Sequence, residues 1–298
     1  MSSPRVEIEE ITDESILVKI SNIDISIANS IRRMALEEVD CMAMEIVDII
    51  SNSARTHDFQ KLAHRLGTIP FVSTDADKYL YTHECDCEDG KCSKCYVEYS
   101  LNVKNVEDKV RIVTTRDLIP KDESTTVTPA HQSATGSIYI RSLEPGEEIT
   151  LKGEVRKGNG LLHAKYQIPS RISLKSASII ELDQKQLSVL SEDQLKGVIA
   201  SCDANVFRYN EEKKQLETIE DSKDCRSCTK CNCCVEYIDS LNLNLKHPIK
   251  IIPRTDYYLM RFTTNGSLKP EEVAAHAICN FVTKLKNIVK ELAVAQQF

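Results

Sequence analysis

Residues 24–38, DISIANSIRRMALEE, predict an amphipathic helix near the start of the chain. Apolar side chains recur on one helical face, in Ile27, Ala28, Ile31, Met34 and Ala35. The opposite face carries Arg32 and two glutamates, and Asn22 and Asp24 offer N-caps before the first turn. We expect this helix to extend over 25–40 and its apolar face to pack against another element.

A second amphipathic pattern lies at the other end of the chain. Pro270 stands at a first helical position, and Glu271 and Glu272 fall in the first turn, where the helix dipole favours negative charge. The helix is predicted to run to about 295, and its apolar stripe comprises Val273, Ala277, Phe281, Leu285, Ile288, Val289 and Leu292. Together the two helices present more apolar surface than one sheet face covers, which is typical of a partner interface.

The segments between these helices alternate apolar and polar residues in the pattern of β-strands. Strands are predicted at 42–51, 95–104, 109–115, 137–141, 148–155, 171–182, 235–252 and 257–263, with two more within 5–20. Shorter helices are predicted at 59–67, ended by Gly67, and at 184–200. The composition, 41% hydrophobic and 28% charged, fits an α+β globular chain and excludes a largely disordered one.

The charge balance limits the kinds of partner. The chain of 298 residues carries 38 basic and 45 acidic residues, for a net charge of −7. Proteins that bind phosphate backbones usually have an excess of basic over acidic residues, so we expect little direct contact with DNA or RNA. No apolar run reaches the roughly 18 residues of a membrane-spanning helix, so no membrane association is expected. The Met-Ser-Ser-Pro-Arg start lacks the apolar core of a secretion signal.

Four of the twelve cysteines lie in one loop with the spacing C-x-C-x4-C-x2-C. They are Cys85, Cys87, Cys92 and Cys95. Zinc prefers four thiolates in a tetrahedron, and two close cysteine pairs joined by a short turn can wrap one ion. Four protein ligands leave no open coordination position, so the spacing predicts a structural zinc (Zn2+) site rather than a catalytic one.

A second cysteine cluster has more than one interpretation. The candidate ligands are Cys202, Cys225, Cys228 and Cys231. The last three have the C-x2-C-x2-C spacing that bacterial-type ferredoxins use for three corners of a [4Fe-4S] cluster, and the first lies upstream as a fourth ligand. The match is incomplete, because Asp203 stands where ferredoxins have proline and two further cysteines crowd the end of the run. An iron–sulfur cluster, a second zinc ion and metal-free structural cysteines therefore stay open.

The sequence contains no common nucleotide-binding or hydrolase motif. G-x-x-x-x-G-K-[ST], G-x-S-x-G, H-E-x-x-H and G-x-G-x-x-G are all absent. The seven histidines are scattered, and no nucleophile stands at a suitable spacing from a base. We therefore predict that the chain is not itself an enzyme.

Several motifs, in order along about residues 22–290, resemble those of one protein family. Asn29–Met34 on the first helix is similar to its N-x-L-R-R signature, and Ala63–Pro70 (AHRLGTIP) is similar to its A-H-R-L-G-L-I-P motif. Further matches are Lys157-Gly158, His163-Ala164-Lys165 and Gly266–Glu271. On these residues the chain resembles the α-like subunits of DNA-dependent RNA polymerase. The first cysteine loop looks like the zinc loop of the third-largest subunit of eukaryotic RNA polymerase II.

The resemblance implies an α+β fold with a discontinuous α-like dimerisation domain built from both chain ends. An inserted, mostly β zinc-loop domain and a small cysteine-rich, ferredoxin-like insert would interrupt it. The implied boundaries are 1–50 and 235–298 for the dimerisation domain, 51–170 for the inserted β-rich domain, 171–182 for a return strand and 183–234 for the cysteine-rich insert.

The resemblance also implies a non-catalytic assembly and scaffold subunit of a transcription enzyme in the nucleus. Such a subunit pairs with a smaller α-like subunit, and the heterodimer forms the platform for the two largest, catalytic subunits, with further small polymerase subunits as neighbours. The implied partner-binding positions are Asn29, Ile31, Arg32, Arg33, His64, Arg65, Phe281, Leu285 and Ile288. Arginine suits such positions because a guanidinium can bind a carboxylate through two hydrogen bonds.

Two alternatives stay open. An iron–sulfur redox protein would explain the second cysteine cluster, and the α-like subunit shared by RNA polymerases I and III belongs to the same family. The zinc loop favours the polymerase II subunit, whereas the second cluster looks like the insert of the archaeal counterpart. The motifs therefore indicate the family more firmly than the paralogue.

Overall fold

The computed structural model describes residues 3–54, 58–87, 91–132, 136–243 and 245–295. Its helices are α1 (Ile25–Glu37), α2 (Phe59–Gly67), α3 (Gln184–Leu187), α4 (Glu192–Ala200), α5 (Cys233–Ser240) and α6 (Pro270–Ala295). Its strands are β1 (Arg5–Ile11), β2 (Ser15–Ser21), β3 (Cys41–Asn52), β4 (Tyr96–Lys104), β5 (Arg111–Thr114), β6 (Ile119–Pro120), β7 (Tyr139–Leu143), β8 (Glu148–Gly158), β9 (Pro169–Lys175), β10 (Ser178–Leu182), β11 (Phe207–Asn210), β12 (Gln215–Thr218), β13 (Ile249–Pro253) and β14 (Tyr257–Thr264).

The chain divides into two compact units, each built from separate stretches of sequence. The first unit comprises Met1–Glu9, Val18–Ala28 and Ser173–Met260. The second unit comprises Glu10–Leu17, Asn29–Ile172 and Arg261–Phe298. The domain boundaries implied by the sequence motifs follow a different division, and they stay a prediction.

Both ends of the chain contribute strands to a four-stranded sheet in the order β1-β2-β14-β9. Buried residues alternate with more exposed ones along β2, and they are Ile16, Val18 and Ile20. In the first unit, the backbone N–H of Asn22 donates to the carbonyl of Asp256 at 3.0 Å. In the second unit, the N–H of Thr264 donates to the carbonyl of Glu14 at 2.9 Å. Residues from the two chain ends therefore lie side by side within each unit.

Both helices predicted near the chain ends are present. At the start of α1, the Asp24 carboxylate accepts from the backbone N–H of Ser26 at 2.8 Å, as expected for an N-cap. The helix ends at Glu37, a few residues before the predicted end. Pro270 opens α6, which continues to Ala295 as predicted. Local sequence patterns were therefore sufficient to place both helices.

The second unit contains an antiparallel sheet in the order β3-β8-β4-β6. Its central strand, β8, pairs along its length with β3 on one side and β4 on the other. Helix α2 packs on this sheet through Leu62 and Leu66. Its core includes the fully buried Phe71, Tyr99, Leu101, Ile149 and Leu151. This sheet is the scaffold for the first cysteine loop, which leads into β4.

A bulge in β3 ties the sheet to the segment at 163–166. The β3–β8 register shifts between Met44 and Ile46, which flank Glu45. The Glu45 carboxylate lies 2.5 Å from the Lys165 ammonium and accepts from the Tyr166 hydroxyl at 2.5 Å. Burial opposes ionisation of Glu45, but the hydrogen bonds from Lys165 and Tyr166 outweigh it and lower the pKa of the carboxyl. The His-Ala-Lys motif is therefore part of the packing of this unit.

Gly158 provides the space in which the Tyr166 ring lies. A Cβ at position 158 would stand 2.5 Å from Tyr166 Cζ. We expect Gly158→Ala to lower the free energy of unfolding by about 1–3 kcal/mol, because the ring is buried and held by Glu45. Urea unfolding measures the difference. Gly67→Ala is the matched control, because its Cβ would meet the carbonyl of Met44 at an ordinary 3.5 Å; equal stability of the two variants would contradict the prediction.

The first unit packs α3, α4 and α5 with the strand pairs β10-β13 and β11-β12. Its buried core includes aliphatic and aromatic residues from these elements and from the loop between α3 and α4: Ile180, Leu187, Leu190, Leu195, Val198, Phe207, Leu216, Ile238 and Ile249. Three cysteines share this core, namely Cys202, Cys225 and Cys234. The cysteine-rich segment therefore supplies part of the apolar interior.

The single helix predicted over 184–200 is wrong. Helix α3 ends at Leu187, and α4 begins at Glu192. A capping box starts the second helix: Gln194 N–H donates to the Ser191 hydroxyl at 3.3 Å, and Ser191 N–H donates to the Gln194 side chain at 2.9 Å. The apolar positions that suggested one helix are buried on both sides of this break.

The strand predicted over 235–252 is wrong in its first part, because Cys233–Ser240 form α5. Cys234 and Ile238 stand four residues apart and are both buried, which is the pattern of a helix face. The predicted strand over 171–182 is interrupted, and its halves, β9 and β10, belong to different sheets. The β11–β12 hairpin was not predicted, because its turn has no glycine and places Lys214 at φ 51°.

Candidate metal centre and docking helix

The four cysteines of the first cluster come together in the loop before β4. Their sulfur atoms all lie within 4.8 Å of one another. The closer sulfur–sulfur distances are 3.2 Å for Cys85–Cys87, 3.5 Å for Cys85–Cys92, 3.6 Å for Cys92–Cys95 and 3.7 Å for Cys87–Cys95. Four thiolates at roughly 2.3 Å from a tetrahedral zinc ion stand about 3.8 Å apart. The sulfur set is therefore close in size to a closed zinc site.

Backbone hydrogen bonds close the loop around these sulfurs. The N–H of Leu80 donates to the carbonyl of Lys94 at 2.8 Å, which joins the two ends of the loop. The N–H of Cys92 donates to Cys95 Sγ at 3.3 Å, a contact that favours the thiolate. The short turn predicted between the cysteine pairs falls on residues that include 88–90, which lie outside the described residues. The described part of the loop holds all four sulfurs in place.

The thiols of this cluster differ in acidity. A hydrogen bond with Cys85 lowers the pKa of Cys87 to about 7. Burial raises the pKa of Cys95 to about 12. Because the thiolate is the form that binds metal, Cys87 is a more readily available ligand than Cys95, whose proton a metal must displace. The set fits a soft metal ion that accepts four sulfur ligands and leaves no position for water.

The second cysteine cluster is not gathered in this way. Of the described residues, only the first cluster brings three or more cysteine, histidine or acidic ligand atoms within 4.8 Å of one another. Cys202 and Cys225 are buried, Cys228 is half-buried, and Cys231 is exposed. The buried Cys234, one of the two further cysteines at the end of the run, packs in the same core. A metal site on these cysteines stays a prediction.

Helix α6 exposes an apolar surface from Ile278 onward. The start of the helix is anchored in the interior by Val273 and Ala277, which have 0% exposure. Beyond it, apolar side chains that are 38–65% exposed follow at alternating intervals of four and three residues: Ile278, Val282, Leu285, Val289 and Leu292. We refer to these five residues as the α6 stripe. Their spacing is that of a seam which packs against a second helix.

The sequence predicted this surface in part. Leu285 and Ile288 are 46% and 47% exposed, and Phe281 is half-buried, so these proposed partner-binding positions are accessible. Ile278 and Val282 were missed, although their spacing from Leu285 was the available signal.

Over the described part of the chain, no helix has both the length and the apolarity for a membrane crossing.

The proposed partner-binding residues of α1 are held within their own helix. Arg32 Nε donates to Asn29 Oδ1 at 2.9 Å, and Arg33 forms an ion pair with Glu37 at 3.3 Å. Asn29 and Arg33 are exposed, and Arg32 is half-buried. Ile31 is only 8% exposed, so it belongs to the interior of this chain rather than to an accessible surface.

The two candidates on α2 are exposed, but one of them also supports the fold. Arg65 Nη1 donates to the carbonyl of Ile140 at 2.8 Å, and its guanidinium lies 5.0 Å from the centre of the Tyr139 ring. A cavity of about 440 Å³ lies between α2 and β7 beside this contact. His64 lies on the exposed face of the same helix. The nine predicted positions therefore lie on three helices, and their role in partner binding stays a prediction.

Comparison with known proteins finds a family match for the part of the chain that contains the β3-β8-β4-β6 sheet and the first cysteine cluster. Residues 47–185 match the family model of the RNA polymerase Rpb3/RpoA insert domain. The match covers most of the β3-β8-β4-β6 sheet and all four cysteines of the first cluster. These elements define a subunit class of DNA-directed RNA polymerases.

Full-length relatives extend the match beyond this domain. The chain is 34% identical to "DNA-directed RNA polymerase II subunit rpb3" of Dictyostelium discoideum, over 97% of this chain and 95% of the relative. It is 32% identical to "DNA-directed RNA polymerase subunit Rpo3" of Methanosphaera stadtmanae, over 95% of this chain and 97% of the relative. "DNA-directed RNA polymerases II, IV and V subunit 3" of Arabidopsis thaliana is 29% identical over 92% of this chain and 87% of the relative. The chain belongs to the Rpb3/RpoA family, which confirms the resemblance seen in the motifs.

Proposed function

We propose that this chain is a non-catalytic assembly subunit of a nuclear RNA polymerase II, whose active site lies on other subunits. The observation that carries the proposal is the α6 stripe, five apolar side chains exposed along one helix. Contiguous apolar surface of this kind marks a site of protein–protein contact. The polymerase II subunit named among the relatives supports the choice of polymerase and the nuclear location.

The α6 stripe suits a helix of a smaller α-like subunit. Along the stripe, the β-branched Val282 and Val289 alternate with Leu285 and Leu292. The same alternation occupies the a and d core positions of paired helices in coiled coils. Full burial of an aliphatic side chain stabilises by about 1.5–3 kcal/mol. Several such side chains offset the cost of association, which is on the order of 4–15 kcal/mol.

The dimerisation domain in this proposal is built from α1, α6 and the β1-β2-β14-β9 sheet. The hydrogen bond between Thr264 and Glu14 supports this assignment, because it joins residues from both chain ends. The inserted domain would carry the zinc loop, and the cysteine-rich, ferredoxin-like insert would follow it. The heterodimer would then form the platform for the two largest subunits. Exposed His64 and Arg33 are available for those contacts and for further small polymerase subunits.

We assign zinc to the first cysteine cluster. Cys85, Cys87, Cys92 and Cys95 would hold the ion, which supplies a cross-link between the two arms of the loop and no reaction chemistry. The zinc loop also favours the polymerase II subunit over the paralogue shared by polymerases I and III. The redox alternative has less support, because the relatives that match nearly the whole chain are RNA polymerase subunits.

Co-expression tests the proposed function. With the smaller α-like polymerase subunit, the chain is expected to give a soluble 1:1 heterodimer, because the partner covers the α6 stripe. Without that partner it is expected to self-associate or precipitate. Size-exclusion chromatography with light scattering measures both outcomes. A soluble monomer that does not bind the smaller subunit would contradict the proposal.

A further inference from the structure

Tyr81, four residues before the first ligand cysteine, fastens the cysteine loop to the end of α1. Its hydroxyl donates to Asp40 Oδ1 at 2.6 Å and accepts from Asn159 Nδ2 at 3.0 Å. Lys157 completes the group: its ammonium lies 2.9 Å from Asp40 Oδ2 and 5.2 Å from the centre of the Tyr81 ring. We refer to Tyr81, Asp40, Asn159 and Lys157 as the Tyr81 clasp.

The clasp is half-buried and held by hydrogen bonds to charged groups. The Lys157 and Asp40 side chains are 10% and 26% exposed. Hydrogen bonds to charged groups contribute more to stability than those between neutral groups. Burial, together with the Asp40 contact, raises the pKa of the Tyr81 phenol, so the hydroxyl keeps the proton that it donates. The clasp is therefore a firm attachment rather than an incidental surface contact.

The same turn is joined to α6. Asp40 lies two residues after Glu38, whose backbone carbonyl accepts from Asn280 Nδ2 at 2.6 Å. The Glu38 carboxylate forms an ion pair with Lys284. Asn280 and Lys284 flank Val282 of the α6 stripe along the helix. A continuous set of contacts therefore runs from the cysteine loop through the turn at 38–40 to the exposed helix.

Other contacts fasten the loop to β8 but not to this turn. Arg156 Nη1 donates to the Thr82 hydroxyl at 3.0 Å, and Lys91 forms an ion pair with Glu154 at 2.9 Å. Arg156 and Glu154 are themselves paired and buried. Among these attachments, Tyr81 is the residue that reaches Asp40.

We propose that Tyr81 is a positioning residue through which the metal state of the cysteine loop controls the turn at 38–40 and the seating of α6. Metal binding orders the segment that carries Tyr81, and metal loss releases it, so that Asp40 loses its phenol donor. The clasp has two states, closed and open, and the metal shifts the equilibrium between them toward the closed state. The inference rests on the proposed function, because the seating of α6 matters through pairing. Reciprocally, a partner that holds α6 tightens metal binding by the same factor.

Hydrogen exchange followed by mass spectrometry tests this coupling in the full chain at submicromolar concentration, with zinc and after chelation. In the wild type, chelation is expected to speed exchange at 37–42 and 271–285 by about tenfold, within the usual range of coupling between sites. In Tyr81→Phe these segments are expected to exchange rapidly with zinc still bound and to change little on chelation. Elemental analysis verifies that the variant keeps its zinc.

Tyr96→Phe is the matched control, because its hydroxyl lies beside the same loop but donates to Glu98 at 3.3 Å. It is expected to respond to chelation as the wild type does. Asp40→Asn tests the same contact from the other side, should Tyr81→Phe fail to fold. No response in the wild type, or equal responses in wild type and Tyr81→Phe, would overturn the inference. The hydrogen-exchange experiment contains no partner subunit. A failure to pair in the co-expression experiment would therefore contradict the proposed function but not this inference.

Discussion

The double substitution Leu285→Asp and Val289→Asp is expected to abolish pairing with the smaller α-like subunit, lowering the affinity at least about 1000-fold. Both side chains are exposed in the chain itself, so the variant is expected to fold. In the heterodimer each carboxylate would be buried without a partner, which costs several kcal/mol, and the apolar contacts would be lost as well. Titration of the partner by calorimetry or light scattering measures the effect.

Asn287→Asp provides the control for this substitution. It adds a negative charge to the same helix, but position 287 lies on the face opposite the α6 stripe. This variant is expected to pair within a few-fold of the wild type. Unchanged pairing of the double variant would move the interface away from α6.

Cys92→Ser is expected to have the second large effect, the loss of about one zinc ion per chain together with several kcal/mol of unfolding free energy. The remaining three thiolates cannot close the tetrahedron, and structural zinc sites have apparent binding free energies of about 10–16 kcal/mol. Because the loop leads directly into β4, the inserted domain should unfold first. Elemental analysis and thermal unfolding of the full chain measure both losses.

Cys279→Ser is the matched control, because Cys279 is exposed on α6 and lies outside both cysteine clusters. Its metal content and stability are expected to equal those of the wild type. Zinc content and unfolding temperature unchanged by Cys92→Ser would contradict a metal role for this loop. The metal left in Cys92→Ser also reports on the second cluster, since four irons, one zinc or none distinguish its three interpretations.

Local patterns predicted the elements whose signals lie within a few turns of chain. Helix α2 runs from Phe59 to Gly67 as predicted, capped by the Asp58 carboxylate, which accepts from Lys61 N–H at 3.0 Å. Helix α6 was equally clear, because Pro270 and a long apolar periodicity mark it. The spacing of the first cysteine cluster likewise predicted a set of sulfurs that the fold brings together.

Features that depend on distant packing could not be predicted in the same way. Helix α5 has only two turns, and its apolar residues fit a strand as well as a helix until the core of the first unit buries Cys234 and Ile238. The second cysteine cluster shows the same limit, because spacing gives the order of ligands but not how far Cys202 lies from the others. The Tyr81 clasp joins residues 41 positions apart, and no local pattern marks such a pair.

The central claim, that a smaller α-like subunit covers the α6 stripe, is tested most directly by side-chain oxidation with hydroxyl radicals. Mass spectrometry reads the oxidation in the chain alone, at submicromolar concentration where it stays monomeric, and in the purified heterodimer. The account predicts strong protection of Leu285, Val289 and Leu292 in the heterodimer, with Val189, an exposed residue of the first unit that serves as the internal reference, unchanged. Equal oxidation of the α6 stripe in both samples would contradict it.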